Sequence, residues 1–172
     1  MLTDEALMGA CKAGATDAFE ELFKRYRQPI WSYFRRRVTE AGRAEELAQE
    51  VFVAVLKAAR RYEPLAPFRT YLYGIAFNVL SAERRRASHR ALTPAGPALA
   101  APTTDDGMWV RQALGRLEES DREIVMLREF EQLSYLEIAR LLDLPINTVR
   151  SRLFRARMEL RRLLAPSVES RS

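Results

Sequence analysis

LSYLEIARLLDLPINTVRSRLFRARMELRRLL, from Leu133 to Leu164, is the stretch whose reading decides the fold. It holds two helical patterns with a short break between them. In the first, Ile138, Ala139, Leu141 and Leu142 recur on one side, and Glu137 and Arg140 are left for solvent. The break is Asp143-Leu144-Pro145-Ile146. Pro145 has no amide proton and a fixed φ, so it suits the start of a new helix and not the interior of an old one. In the second pattern Val149, Leu153, Leu160 and Leu163 share the buried side, opposite Arg150, Ser151, Arg155, Arg162 and the exposed aromatic Phe154. An isolated arginine-rich helix reads first as a packing helix with a solvated face. A short helix and a tight turn ahead of it change that reading to a helix-turn-helix whose second helix enters a major groove. Arginine forks pair with guanine edges or phosphates, Ser and Asn bond bases or backbone, and the open amides near Asn147 and Thr148 suit a phosphate.

Upstream of this motif, Ser134 and Glu137 have capping-box spacing, and REIVMLREFEQ places Ile124, Leu127 and Phe130 or Glu131 on successive turns. Ser120 or Asp121 is expected to cap that helix, with another short helix over Met108 to Arg116 before it. ALTPAGPALAAPTTDDG, residues 91–107, has three prolines and no apolar periodicity, and reads as a flexible linker. The tail PSVESRS reads as polar and frayed.

The first half is helical as well. Thr3 can cap a helix over DEALMGACKA that Gly14 ends. Phe19, Leu22, Phe23, Tyr26, Ile30, Phe34 and Val38 recur at helical spacing, with a kink or two consecutive helices expected at Pro29. Trp31, Tyr33 and Phe34 beside Arg35 to Arg37 read as core followed by a solvated basic end. Gly42 marks a turn, and a further helix starts at Ala44. Its apolar stripe is Leu47, Ala48, Val51, Phe52, Val55, Leu56 and Ala59; its polar front is Glu45, Glu46, Gln49 and Glu50. A loop between Pro64 and Pro67 leads into FRTYLYGIAFNVLSAERRRASHR. There Phe68, Leu72, Ile75, Ala76 and Val79 look buried. Arg69, Tyr71, Tyr73, Asn78, Arg84, Arg85 and Arg86 interleave on an exposed side, the mixture that suits single-stranded nucleic acid.

The expected fold is therefore all-α: two small helical domains, 1–90 and 108–166, joined by the linker 91–107. The 172 residues carry a net charge of +5, with arginines clustered and acids elsewhere. No apolar run of roughly twenty residues predicts a membrane span. The acidic N-terminus is unlike a signal peptide, and Cys11 as the sole cysteine fits a reducing cytoplasm. One His, His89, and one Cys leave no nitrogen–sulfur zinc site, so neither metal nor cofactor is expected. No Gly-rich phosphate loop, nucleophile elbow or paired-carboxylate constellation marks an enzyme.

Taken together, DAFEELFKRYRQPI, AEELAQEVFVAV, FRTYLYGIAFNVL with ERRR, and LEESDREIVMLREFEQLSYLEIARLLDLPINTVRSRLFRAR resemble regions two and four of the extracytoplasmic-function (ECF) sigma factors of bacterial RNA polymerase. The resemblance runs from about Asp4 to Leu164. It implies an alternative sigma factor that directs core RNA polymerase to promoters and is a monomer when free, controlled by an anti-sigma partner. It implies polymerase docking through Glu45, Glu46, Gln49, Glu50 and Phe52. It implies capture of a single-stranded −10 element by the loop from Pro64 to Phe68 and by Arg69, Tyr71, Tyr73 and Asn78, with Arg84, Arg85 and Arg86 on phosphates. The duplex −35 element would be read by Arg150, Ser151, Phe154 and Arg155, with Thr148, Arg152 and Arg157 on phosphates or in packing. Leu56 and Tyr71 stand where the family often has Trp, Ala82 where an acid is common, and Asp143 where the turn often has Gly. The alternative is an autonomous helix-turn-helix regulator. It would need a sensor or dimerisation domain where this chain has the acidic-fronted and aromatic-arginine helices.

Overall fold

The computed structural model describes residues 1–90 and 105–165, so most of the expected linker and the tail lie outside the described residues. The described residues form eight α-helices and one 3-10 turn, with no strand among them. The chain divides into two compact units, Met1–Ala100 and Ala101–Ser172.

The first unit contains α1 (Asp4–Lys12), α2 (Thr16–Arg35), α3 (Ala41–Ala58), a 3-10 turn (Ala59–Arg61) and α4 (Phe68–Arg90). Thr3 caps α1 by accepting the Ala6 amide at 3.1 Å, and Gly14 leaves it at a φ of 97°, a conformation that suits glycine. Helix α2 packs on α1 and α3, and α3 on α4. The shared core is Leu7, Met8, Leu22, Ile30, Phe34, Leu47, Val51, Val55, Leu72, Ala76 and Leu80. Each fully buried Leu, Ile or Phe contributes about 1.5–3 kcal/mol, which fixes which face of each helix turns inward.

Three local expectations are corrected. Helix α2 runs unbroken through Pro29, whose ring is exposed, so the lost backbone bond faces water while buried residues on either side hold the helix. Helix α3 begins at Ala41, with Gly42 in its first turn, where amides need no intrahelical partner. Arg37 is buried rather than solvated: its guanidinium lies 3.9 Å from the Tyr33 ring centroid and donates to the Tyr33 carbonyl at 3.0 Å.

The second unit contains α5 (Asp105–Arg116), α6 (Glu119–Glu129), α7 (Tyr135–Leu142) and α8 (Ile146–Leu164). The last three linker positions thus open α5. Helix α6 starts a few residues earlier than expected, capped at Glu118 in place of Ser120 or Asp121 and with no side-chain cap bond; Ser120 instead donates to Glu118, and Asp121 faces inward. Helices α5, α6 and α7 all pack on α8, around Leu114, Leu117, Ile124, Leu127, Leu133, Ile138, Val149 and Leu153. No described helix is long and apolar enough to cross a membrane.

Candidate nucleic-acid interface

Helices α7 and α8 form where the sequence predicts, although Leu160 and Leu163, expected on the buried side of α8, are only half-buried. The Ser134 hydroxyl caps α7 by accepting the Glu137 amide at 3.1 Å. Asp143 ends it in the left-handed conformation, φ 54° and ψ 51°, and Leu144 donates back to the Ala139 carbonyl at 2.9 Å. Pro145 then leads directly into α8; no side chain caps its first amides, and Thr148, expected to offer an open amide, instead donates to the Pro145 carbonyl at 3.0 Å. Val149, Leu153 and Ala156 are buried. That burial rotates the opposite face outward, because burying arginines there would cost several kcal/mol per unpaired charge.

On that outer face Arg150, Ser151, Phe154 and Arg155 are exposed, and Thr148 and Arg152 are half-buried at its margin. The spacing of 150, 151, 154 and 155 puts them on one strip of helix surface. Phe154 is 68 % exposed, an aromatic with no core to serve. Ser151 donates to the Thr148 carbonyl at 3.1 Å. Arg157 pairs with Glu129 at 2.6 Å, and Arg155 with Asp121 at 2.9 Å, each raising its guanidinium further above its ordinary value chiefly through that hydrogen bond. Arg150 makes no ion pair among the described residues.

Helix α4 carries the second set. The chain enters it from the Glu63–Pro67 loop, whose Leu65 is 84 % exposed. The first amide of α4, on Phe68, donates to the Glu5 carboxylate at 2.8 Å, so α1 caps α4 from across the unit. Tyr26, Tyr62, Phe68 and Tyr71 interlock there, with ring centroids 5.1–6.4 Å apart. Tyr26 also donates to Asp4, and its phenol is pushed up, first by burial and then by that bond.

Exposure sorts the expected −10 residues. Phe68 and Tyr73 are 1 % and 3 % exposed, so both rings belong to the core and not to the outer surface. The cause is that α4 packs on α3, α2 and α1 over its first half, which buries a wider arc than one stripe. Arg69 and Tyr71 are half-buried and Asn78 is exposed. Burial in α4 ends at Leu80, so Arg84, Arg85 and Arg86 are exposed along the last turns, with Arg86 donating to Glu83 at 3.3 Å.

The acidic front of α3 is exposed at Glu45, Glu46, Gln49 and Glu50. An open groove of about 610 Å³ runs along it, with Arg43, Glu46, Gln49, Glu50, Val53 and Lys57 among its walls. Phe52 is not part of this surface: it is buried and packs edge-on against Phe23 at 5.0 Å. Leu56 departs the other way, leaving the expected stripe for solvent at 51 % exposure. Arg43 ties the front to α4, donating to Glu83 at 2.9 and 2.5 Å and to Glu46 at 2.7 Å. The bonds from Arg43 to Glu83 hold that carboxyl below its ordinary value. Cys11, half-buried in α1, has its thiol pushed up by burial.

Three residues of the site escape periodicity. Asp121 has the look of a helix cap, yet it grips Arg155 from 34 residues away. Glu5 sits in an ordinary acidic first turn, and Leu65 in an ordinary proline loop. Only the composition of the Glu63–Pro67 loop, an apolar residue between prolines, offered a signal.

Sigma-70 region 2 matches residues 22–90, and Sigma-70, region 4 matches residues 107–160. The RNA polymerase sigma-H factor of Pseudomonas aeruginosa is 32 % identical, covering 95 % of this chain and 94 % of its own. The ECF RNA polymerase sigma-E factor of Escherichia coli K12 is 31 % identical, covering 97 % of both chains. Among solved structures, CnrH in complex with the cytosolic domain of CnrY superposes with a TM-score of 0.74 at 26 % identity, covering 94 % of this chain and 96 % of that one. With both sigma regions present in order and such relatives matched over more than nine-tenths of their length, this chain belongs to the ECF sigma factors of RNA polymerase.

Proposed function

We propose that the two units divide a promoter between them while the polymerase holds both. The unit containing α8 reads the −35 element as duplex: Arg150, Ser151, Phe154 and Arg155 meet base edges, and Thr148, Arg152 and Arg157 meet phosphates. The unit containing α4 captures the −10 element as a single strand. A flipped base enters the loop from Pro64 to Phe68 with Leu65 at its tip, the strand follows Arg69, Tyr71 and Asn78, and Arg84 to Arg86 hold phosphates. Unstacking costs a few kcal/mol per step, and a stacking surface with a cationic groove can offset it. Phe68 and Tyr73 work from beneath, as the packed floor of that surface.

Core polymerase docks on the front formed by Glu45, Glu46, Gln49 and Glu50, with Phe52 supporting α3 from inside. The bond-making chemistry belongs to the polymerase, and this chain is no enzyme. It acts in the cytoplasm, as a monomer when free of its partners. A solved relative, CnrH, was captured with the cytosolic domain of a second protein. By the same logic an anti-sigma partner masks the Glu45 to Phe52 face or the Arg150 to Arg157 face here. A co-purified partner that left polymerase binding undisturbed would remove that regulatory step.

The observation that carries the reading is the outer strip of α8, where an exposed phenylalanine and two arginines surround a serine beyond a left-handed turn. An autonomous regulator would use the same strip without polymerase. Photo-crosslinking from positions 154 and 71 in the polymerase-bound chain separates the two readings. Crosslinks from 154 to −35 and from 71 to −10 support the division; duplex crosslinks from 154 with no polymerase present, and none from 71, favour the autonomous regulator.

A further inference from the structure

The contact between α6 and the recognition helix has a shape that simple packing does not require. Asp121 is 6 % exposed, and its carboxylate accepts from Arg155 Nε at 3.1 Å and from Nη2 at 2.9 and 3.0 Å. The Arg155 side chain remains 62 % exposed, against 8 % for Asp121. Nη1 makes no hydrogen bond among the described residues. One edge of the guanidinium is therefore anchored to a buried acid, and the edge made by Nη1 and the outer hydrogen of Nη2 faces away from it. That free edge is the one an arginine uses for the O6 and N7 of guanine. An exposed arginine without such an anchor samples many rotamers and loses that freedom on binding.

We propose that Asp121 is a positioning residue for promoter reading: it holds the Arg155 guanidinium by its Nε edge, so that the free edge meets a guanine in the duplex −35 element. Base preference at one promoter position then depends on an acid that never touches DNA. This rests on the reading of Arg155 as a base contact. The specificity comes from geometry fixed before binding, because the fork arrives already oriented.

The test uses the full chain bound to core polymerase and a set of promoters carrying all four bases at each −35 position. Thermal midpoints are measured alongside. Arg155→Ala is expected to flatten the preference at one position by about fivefold or more. Asp121→Asn is expected to flatten that same position, to spare the others, and to add nothing in the Arg155→Ala background. Asp121→Glu keeps the charge and moves the oxygens by one methylene, so it reads the same position should the Asn variant not fold. If Arg155→Ala alters the profile but the Asp121 variants do not, the positioning role is overturned while the base contact stands. If Arg155→Ala leaves the profile unchanged, the base contact fails and the proposal fails with it. Uniformly tighter binding of every sequence by Asp121→Asn would overturn the proposal too, because Asp121 would then be competing with DNA for Arg155.

Discussion

Asp143 sets the angle at which α8 leaves α7, and it does so in a backbone conformation that side chains resist. Its φ of 54° and ψ of 51° lie in the left-handed region. That region costs an ordinary residue about 1–2 kcal/mol, somewhat less for Asp and Asn, and nothing for Gly. Gly returns part of this gain, about 0.5–1 kcal/mol, through the greater freedom of its unfolded chain. The expected order of stability is therefore Gly, then Asp and Asn together, then Ala, with Gly and Ala separated by about 1 kcal/mol. Amide exchange at Val149 and Leu153 in the full-length chain reports on this unit alone, since both lie in its core. A difference of 1 kcal/mol corresponds to about a fivefold change in the opening equilibrium. Asp143→Gly is expected to slow exchange there and Asp143→Ala to speed it. Ala as well protected as Gly would refute the backbone reasoning, and Asn grouping with Ala would assign the effect to the lost carboxylate instead.

Other outcomes follow from the first unit. Glu45→Lys reverses an exposed charge that has no ion pair among the described residues, so core polymerase binding should weaken while the thermal midpoint stays put; a fall in both would point to the fold and not to docking. Glu5→Ala removes the cap on the Phe68 amide and should cost about 1 kcal/mol in urea denaturation. It should also reduce permanganate reactivity of −10 thymines, and unchanged promoter opening would confine Glu5 to folding. Glu83 is held below its ordinary 4.5 by Arg43, so its contribution is complete above that pH and is lost as pH falls through the depressed folded value. Glu83→Gln should therefore lose about 1 kcal/mol at neutral pH and show a flatter acid limb below pH 4.5 than the native chain. A parallel acid limb would show that the Arg43 bridge is not what depresses this carboxyl.

The helices, their division into two units and the orientation of the recognition helix were all legible in sequence. Each follows from a short-range signal. Ser134 three residues before Glu137, proline after a turn, and Val149 with Leu153 at helical spacing each state a local rule that packing did not override. The face of α4 was less legible, because a helix packed against three others buries more than one stripe. Tyr73 therefore lies inside although Arg69 and Tyr71 are half-buried and Asn78 is exposed. Phe52 and Leu56 differ for a related reason: the α3 face that turns toward Phe23 is chosen by a neighbour distant in sequence. The grips of Asp121 on Arg155 and of Glu5 on the Phe68 amide were invisible, since a single acid carries no period and its partner lies 34 or 63 residues away.

As an ECF sigma factor the chain serves RNA polymerase at promoters, and its two units make most sense when one polymerase holds both. The measurement closest to that claim is in vitro transcription by bacterial core polymerase, with and without this chain, over a randomised promoter library. Transcripts should start at defined positions only when the chain is present, from templates that share two sequence elements at fixed spacing. Phe154→Ala should weaken selection of the upstream element and leave the downstream one. Duplex binding by the chain with no core-dependent transcript would contradict the account and leave the helix-turn-helix working alone.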